Sequence, residues 1–219
     1  MMKKALAIYG DGFHATLPLH ASIGAALETC NYTVDTVIDF DIPYDHFSDY
    51  DLIVISRYGR DDVHFLRAKE ERLWLTESNA KKLEDYVFSG GKLFLHHDAF
   101  ALYPEGHIMC KLAKAVFINH PPIGSMTVVP VLTEHPLTKD IPEVTLKDEE
   151  YVLTFDPEES TVFAEAHSAE HGRSIQGWHH AYGKGNVVVF IPGHNPEVLF
   201  NPTVAQYFNN IIRYLDDSG

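Results

Sequence analysis

Four short apolar runs, KALAIY (4–9), DLIVIS (51–56), KLFL (92–95) and NVVVFI (186–191), each stop at a glycine-rich or polar loop. Runs this short, rich in aliphatic residues and lacking polar alternation, read as strands buried on both faces, the situation of a parallel sheet. The intervals between the first three fit that reading. Leu19, Ile23, Ala26 and Leu27 recur at helical spacing within 17–30, and TVDTVIDF (33–40) follows as a second strand. TESNAKKLEDYVFSGG (76–91) predicts a helix capped by Thr76, with Leu83, Tyr86 and Val87 inward and Gly90-Gly91 ending it. Strands alternating with helices predict right-handed crossovers and a sheet covered on both faces.

The second half changes character. SMTVVPVL (125–132), TVFAEAH (161–167), SIQGWHHA (174–181) and NVVVFI come with few helical intervals, and YGKG (182–185) reads as a hairpin turn. A partly antiparallel C-terminal extension is expected, closed by a helix over 204–215 carrying Ala205, Phe208, Ile211, Ile212 and Leu215 on one face. The fold class is therefore α/β, three-layered and mostly parallel.

At 219 residues, 45% of them hydrophobic, the chain suits one well-buried domain over 1–219. The 31 acidic against 17 basic residues give a formal charge of -14, which repels nucleic acid and anionic membranes. No run reaches the length of a membrane span, and MMKKALAIYG lacks the features of a signal peptide, so a cytoplasmic protein is expected. Cys30 and Cys110 show no metal or redox spacing and read as packing residues.

Ligands of open α/β sheets bind beyond the carboxyl ends of the strands, so the residue after each run matters most. KALAIY leads to Asp11, Gly12 and His14; DLIVIS to Arg57 and Tyr58; KLFL to His96, His97 and Asp98; NVVVFI to His194 and Asn195. Three of these four loops carry histidine, which predicts imidazoles converging on one rim. Successive strand side chains face opposite ways, so His96 and His97 are not expected to share the pocket. His96 is taken as the functional residue and His97 as the packing one. GDGFH lacks the full GxGxxG and any P-loop lysine, and suits hydroxyl groups better than phosphate.

GDGFH, GGKLFLHH, INHPPIGSMTV, HPLTKDIP, LKDEEYVLTFDPE and WHHAYGKGNVVVFIPGHNPEV, in this order, resemble the ThuA-like (trehalose-utilisation) family over almost the whole chain. The resemblance implies a class I glutamine amidotransferase-like, flavodoxin-like fold with an elbow after a central strand. It also implies a link to catabolism of trehalose and 3-keto sugars. Family motif positions fall on His14, His96, His120, Asp148, Glu149, Tyr151 and His194. The segment from Arg57 to Glu71 is longer and more charged than the family pattern and is expected to reshape substrate selection. No cysteine lies near the elbow in sequence, which argues against thiol-based amidotransfer.

The leading expectation is an enzyme acting on a sugar or keto-sugar, with His96, Glu149 and Asp98 catalytic. Asp11, Gly12, His14, Tyr58, Asp148, Tyr151 and Asn195 would bind substrate. His96, His120 and His194 are candidate ligands of a divalent metal such as Zn²⁺. No HxH or HExxH spacing accompanies them, and the other reading is that they hydrogen-bond a hydroxylated ligand or the backbone. Paired carboxylates at 148 and 149 leave glycosidase-type hydrolysis as a minority reading. The competing class is a non-catalytic carbohydrate-binding or partner-docking protein. The expected partner is a small carbohydrate, with a homo-oligomer also open.

Overall fold

The computed structural model describes residues 2–39, 41–60 and 73–218. Strands β1 (Lys3–Tyr9), β2 (Tyr32–Val37), β3 (Leu52–Ser56), β4 (Lys92–His96) and β11 (Gly185–Phe190) form the parallel half of a nine-stranded sheet. Strands β6 (Gly124–Pro130), β7 (Val144–Asp148), β9 (Thr161–Ser168) and β10 (Gly172–Tyr182) complete it antiparallel, in the order β2-β1-β3-β4-β11-β10-β9-β6-β7. A separate ribbon pairs β5 (Ala115–Asn119) with β8 (Val152–Phe155). NVVVFI is thus no part of an extension. Val187, Val188, Val189 and Phe190 are buried on both faces, and burial of that kind places β11 beside β4 at the centre. The antiparallel half is inserted before it in sequence, rather than appended at the C-terminal end.

Alternation along the strands feeds two cores. Ala5, Ala7, Tyr9, Phe94, Val188 and Phe190 pack with Ile23, Leu27, Phe208, Ile211 and Leu215. Leu6, Ile8, Leu93, Leu95, Val187 and Val189 pack with Leu83, Val87, Met109 and Leu112. The first helical stretch runs through α1 (Thr16–Leu19), a π-helical turn (His20–Gly24) and α2 (Ala25–Thr29), burying Leu19, Ile23, Ala26 and Leu27 as its spacing requires.

Helix α3 (Glu77–Phe88) begins after Thr76, whose hydroxyl contacts Ser78 Oγ instead of capping the helix. It ends at Gly90, which adopts a left-handed φ of 122°. A short helix, α4 (Ile108–Ala113), is capped by His107, whose Nδ1 accepts from Met109 N. Helix α5 (Pro196–Leu199) and the closing helix α6 (Pro202–Asp217) follow, each with an asparagine cap and a proline in the first turn. In α6 Val204, Tyr207, Phe208, Ile211, Ile212 and Leu215 are buried, whereas Ala205 is only partly so.

The β10–β11 hairpin turns at Gly183, φ 62°, where the sequence places it. Both cysteines are free and buried. Burial pushes the Cys30 thiol up and the Cys110 thiol to about 11, so neither is a ready thiolate. Among the described residues no helix is long and apolar enough to cross a membrane. Of the long charged segment, residues 61–72 lie outside the described residues, as does Phe40.

Candidate functional site

Strand β4 explains which histidine faces the pocket. Leu93 and Leu95 join one core, so Phe94 and His96 point to the other, and the His96 ring lies 5.2 Å from Phe208. His96 is 0% exposed. Its Nε2 lies 3.1 Å from the Pro192 carbonyl, which can only accept, so Nε2 carries the proton and Nδ1 accepts from Ser56 Oγ at 2.8 Å. Burial holds its pKa well below the usual imidazole range, and the ring is a neutral post between strands.

His97 follows with φ 55°, a left-handed conformation that ends the strand and swings its ring to the rim. The expectation for the pair is therefore reversed: alternation stops at His96, and His97 is the elbow residue.

Around His97 the sheet topology gathers distant side chains. The rings of His14 and His194 lie 4.7 and 5.5 Å from it, and His14 Nε2 is 3.0 Å from His194 Nδ1. One ring nitrogen from each of the three falls within 4.8 Å of the others. Glu149 spans the group: Oε1 lies 3.2 Å from His194 Nδ1 and Oε2 3.4 Å from His97 Nε2. The Tyr151 hydroxyl is 3.2 Å from His97 Nε2, and the Tyr151 ring stacks on His120 at 5.8 Å. His120 stands at the edge, with Nε2 3.6 Å from Glu149 and Nδ1 2.9 Å from the Pro121 carbonyl oxygen.

Each central ring is oriented from behind. His97 Nδ1 donates to Ile191 O at 2.8 Å, leaving Nε2 for the pocket. His14 Nδ1 lies 2.9 Å from Asp11 Oδ1 and 2.9 Å from Asp98 Oδ2, and its Nε2 faces the pocket. Asp98 meets it as a close ion pair rather than a well-aligned hydrogen bond. Burial opposes charge on His14, but Asp98 and Asp11 outweigh it and raise its pKa to about 11. Burial lifts Asp98 to about 6 against the pull of His14, while the bonds from His14 bring Asp11 down to about 2 despite its burial. Glu149 is likewise buried, yet bonds to His194 and His97 hold it well below the usual carboxylate range.

The other expected binding residues are braces. Asp148 is buried and accepts from Gly193 N at 2.7 Å and His194 N at 3.1 Å, which fixes the loop carrying His194. Asn195 caps α5 through Val198 N and donates to Lys147 O. Tyr58, also buried, donates its N–H to Asp11 Oδ2 at 3.3 Å, and its ring rests 5.8 Å from Phe13. Gly12 is exposed in the turn. There Asp11 Oδ1 accepts from Phe13 N and His14 N, so a carboxylate already fills the amide cradle that a phosphate would need.

Of the three expected metal ligands, only His194 belongs to the converging group. Both His96 nitrogens are bonded elsewhere, and His120 stands outside it. His14 and His97 take their places. His97 is the second residue beyond the strand's last apolar residue, Leu95, and nothing local in the sequence distinguishes it from His96 as the one that enters the pocket.

The ThuA family, described as trehalose utilisation, matches residues 6–215. A ThuA-like protein from Bacteroides uniformis superposes with a TM-score of 0.75 at 20% identity, covering 98% of this chain and 91% of that one. A second, from Parabacteroides merdae, gives 0.77 at 16% identity, with 98% and 90% covered. The β-galactosidase of Rahnella sp. R3 contains a similar fold, TM-score 0.69 at 14% identity, over 98% of this chain but 31% of that one. A comparison with curated protein sequences finds no match. With its family matched along nearly its full length, the chain belongs to the ThuA (trehalose utilisation) family.

Proposed function

We propose that the protein is an enzyme acting on a sugar or 3-keto sugar, with His14, His97 and His194 holding a divalent cation such as Zn²⁺ beside the Glu149 carboxylate. The observation that supports this is the convergence of three imidazole nitrogens within 4.8 Å, with the Glu149 carboxylate against two of them. The donor set fits: each of His14 and His97 gives its second nitrogen to a carboxylate or carbonyl, the backing that orients metal-bound imidazoles. Such a cation polarises a carbonyl or lowers the pKa of a bound water. Glu149, kept ionised, takes a proton from the substrate carbon or from water, and the Tyr151 hydroxyl donates to a developing oxyanion. Family membership supplies the carbohydrate theme.

The test pairs elemental analysis of purified protein with NMR of 3-keto-trehalose and 3-keto-glucose incubated with it. His97→Asn is the control variant, because asparagine tolerates the left-handed backbone and keeps a donor near Nδ1 while deleting Nε2. Wild type is expected to carry about one metal equivalent and to convert a keto-sugar, and the variant to lose both. Metal-free wild type that shifts sugar resonances without chemical change would make the protein a binder instead.

A further inference from the structure

Beside the histidine cluster, and sharing Tyr151 with it, lies a cavity of about 510 Å³ between β8 and the first half of β10. That size falls within the range of small-molecule sites, about 300–1,000 Å³. No part of the reading above uses it.

One wall carries a directed chain of polar groups. Gln176 is 0% exposed and donates its amide N–H to Ser174 Oγ at 3.0 Å; Ser174 donates to Glu150 Oε1 at 2.6 Å. The chain thus ends on a carboxylate that only accepts, in a residue 6% exposed, with Ser174 its hydrogen-bond donor among the described residues. A buried carboxylate with acceptor capacity to spare favours a ligand bringing O–H donors.

Arg173, which also lines the cavity, is held by Glu165, with Nε 3.0 Å from Oε2, and offers the rest of its donor fork. An acceptor and a donor lining one cavity suit hydroxyl groups, each of which gives and takes. Glu150 and Glu165 outnumber Arg173 and turn anions away. Val152, Phe155 and Ile175 add an apolar strip, against which the C–H face of a sugar ring would pack.

We propose that this groove is a binding subsite for a neutral saccharide ring, contiguous with the histidine cluster, so that one molecule of two rings reaches both. The proposal rests on the carbohydrate reading of the cluster. Tyr151 joins the two parts: its hydroxyl lies on His97, and the residue lines the groove.

The experiment is calorimetric titration of the whole protein with trehalose and with glucose, using wild type, Arg173→Ala, Val152→Trp and His97→Asn. The Arg173 side chain is 71% exposed and Val152 46% exposed, so both substitutions leave the fold intact, and thermal melts check it. Arg173→Ala and Val152→Trp are expected to weaken trehalose at least about tenfold and leave glucose unchanged, whereas His97→Asn weakens both. Trehalose binding untouched by either groove variant, or both sugars weakened equally, would overturn the subsite while the carbohydrate reading stands. If wild type binds neither trehalose nor glucose, the subsite is overturned, and conversion of a 3-keto sugar decides the carbohydrate reading separately.

Discussion

At the scale of single residues, two adjacent histidines do opposite work because one backbone angle separates them. His96 completes a hydrogen-bonded post between Ser56 and the Pro192 carbonyl, while His97, at φ 55°, leaves the strand plane. Period-two alternation was legible as far as His96, where the strand ends. It could not say which residue ends the strand, since a left-handed elbow is set by the Ile191 carbonyl and the packing around it, neither of which is local in sequence.

His97→Asn is expected to lower turnover about a hundred- to ten-thousandfold with little change in melting temperature, read by steady-state kinetics and calorimetry. His96→Ala should do the reverse. It orphans a buried hydroxyl and a carbonyl, so we expect a loss of about 1–3 kcal/mol in urea unfolding, with residual activity tracking the folded fraction. Gly193 depends on the same post. It sits at φ 148°, and a Cβ there would fall 2.4 Å from His96 Nε2, so Gly193→Ala is expected to displace the His194 loop and reduce activity and stability together.

At the scale of elements, the five strands of the parallel half, β6, β9, β10 and the longer helices were readable from apolar runs and helical spacing, whereas β5, β7 and β8, short and only partly buried, were not. Sheet order was not, since pairing between β4 and β11 joins residues about ninety positions apart. Loop residues were the hardest to assign. Asn195 has the chemistry of a sugar ligand, yet its Oδ1 accepts from Val198 N and its Nδ2 donates to Lys147 O. Asn195→Ala should therefore cost about 0.5–2 kcal/mol of stability, as loss of a cap does, measured by thermal or urea unfolding. The KM for a keto-sugar substrate should stay within twofold or so once folded protein is matched. A large rise in KM at unchanged stability would return Asn195 to the binding residues.

At the scale of the whole molecule, the acidic chain carries a set of neutral imidazoles away from the site, and these make its stability depend on pH. His180 is 4% exposed, and His179 stacks on His135 at 5.2 Å and contacts the Tyr214 hydroxyl at 2.9 Å. Burial brings both down to about 4, helped by Lys114 beside His180 and His135 beside His179.

In the unfolded chain the same groups titrate near 6.5. Between about pH 6.5 and 4 these two groups therefore bind more protons in the unfolded state than in the folded one, and their contribution to stability falls as pH is lowered through that window. For His180 alone the loss at pH 5 relative to pH 8 is about 1–2 kcal/mol. Urea unfolding at pH 8 and pH 5 measures it: His180→Gln should show a smaller drop than wild type. Equal drops in the two proteins would mean that His180 protonates in the folded state, and that the interior beside β10 admits water.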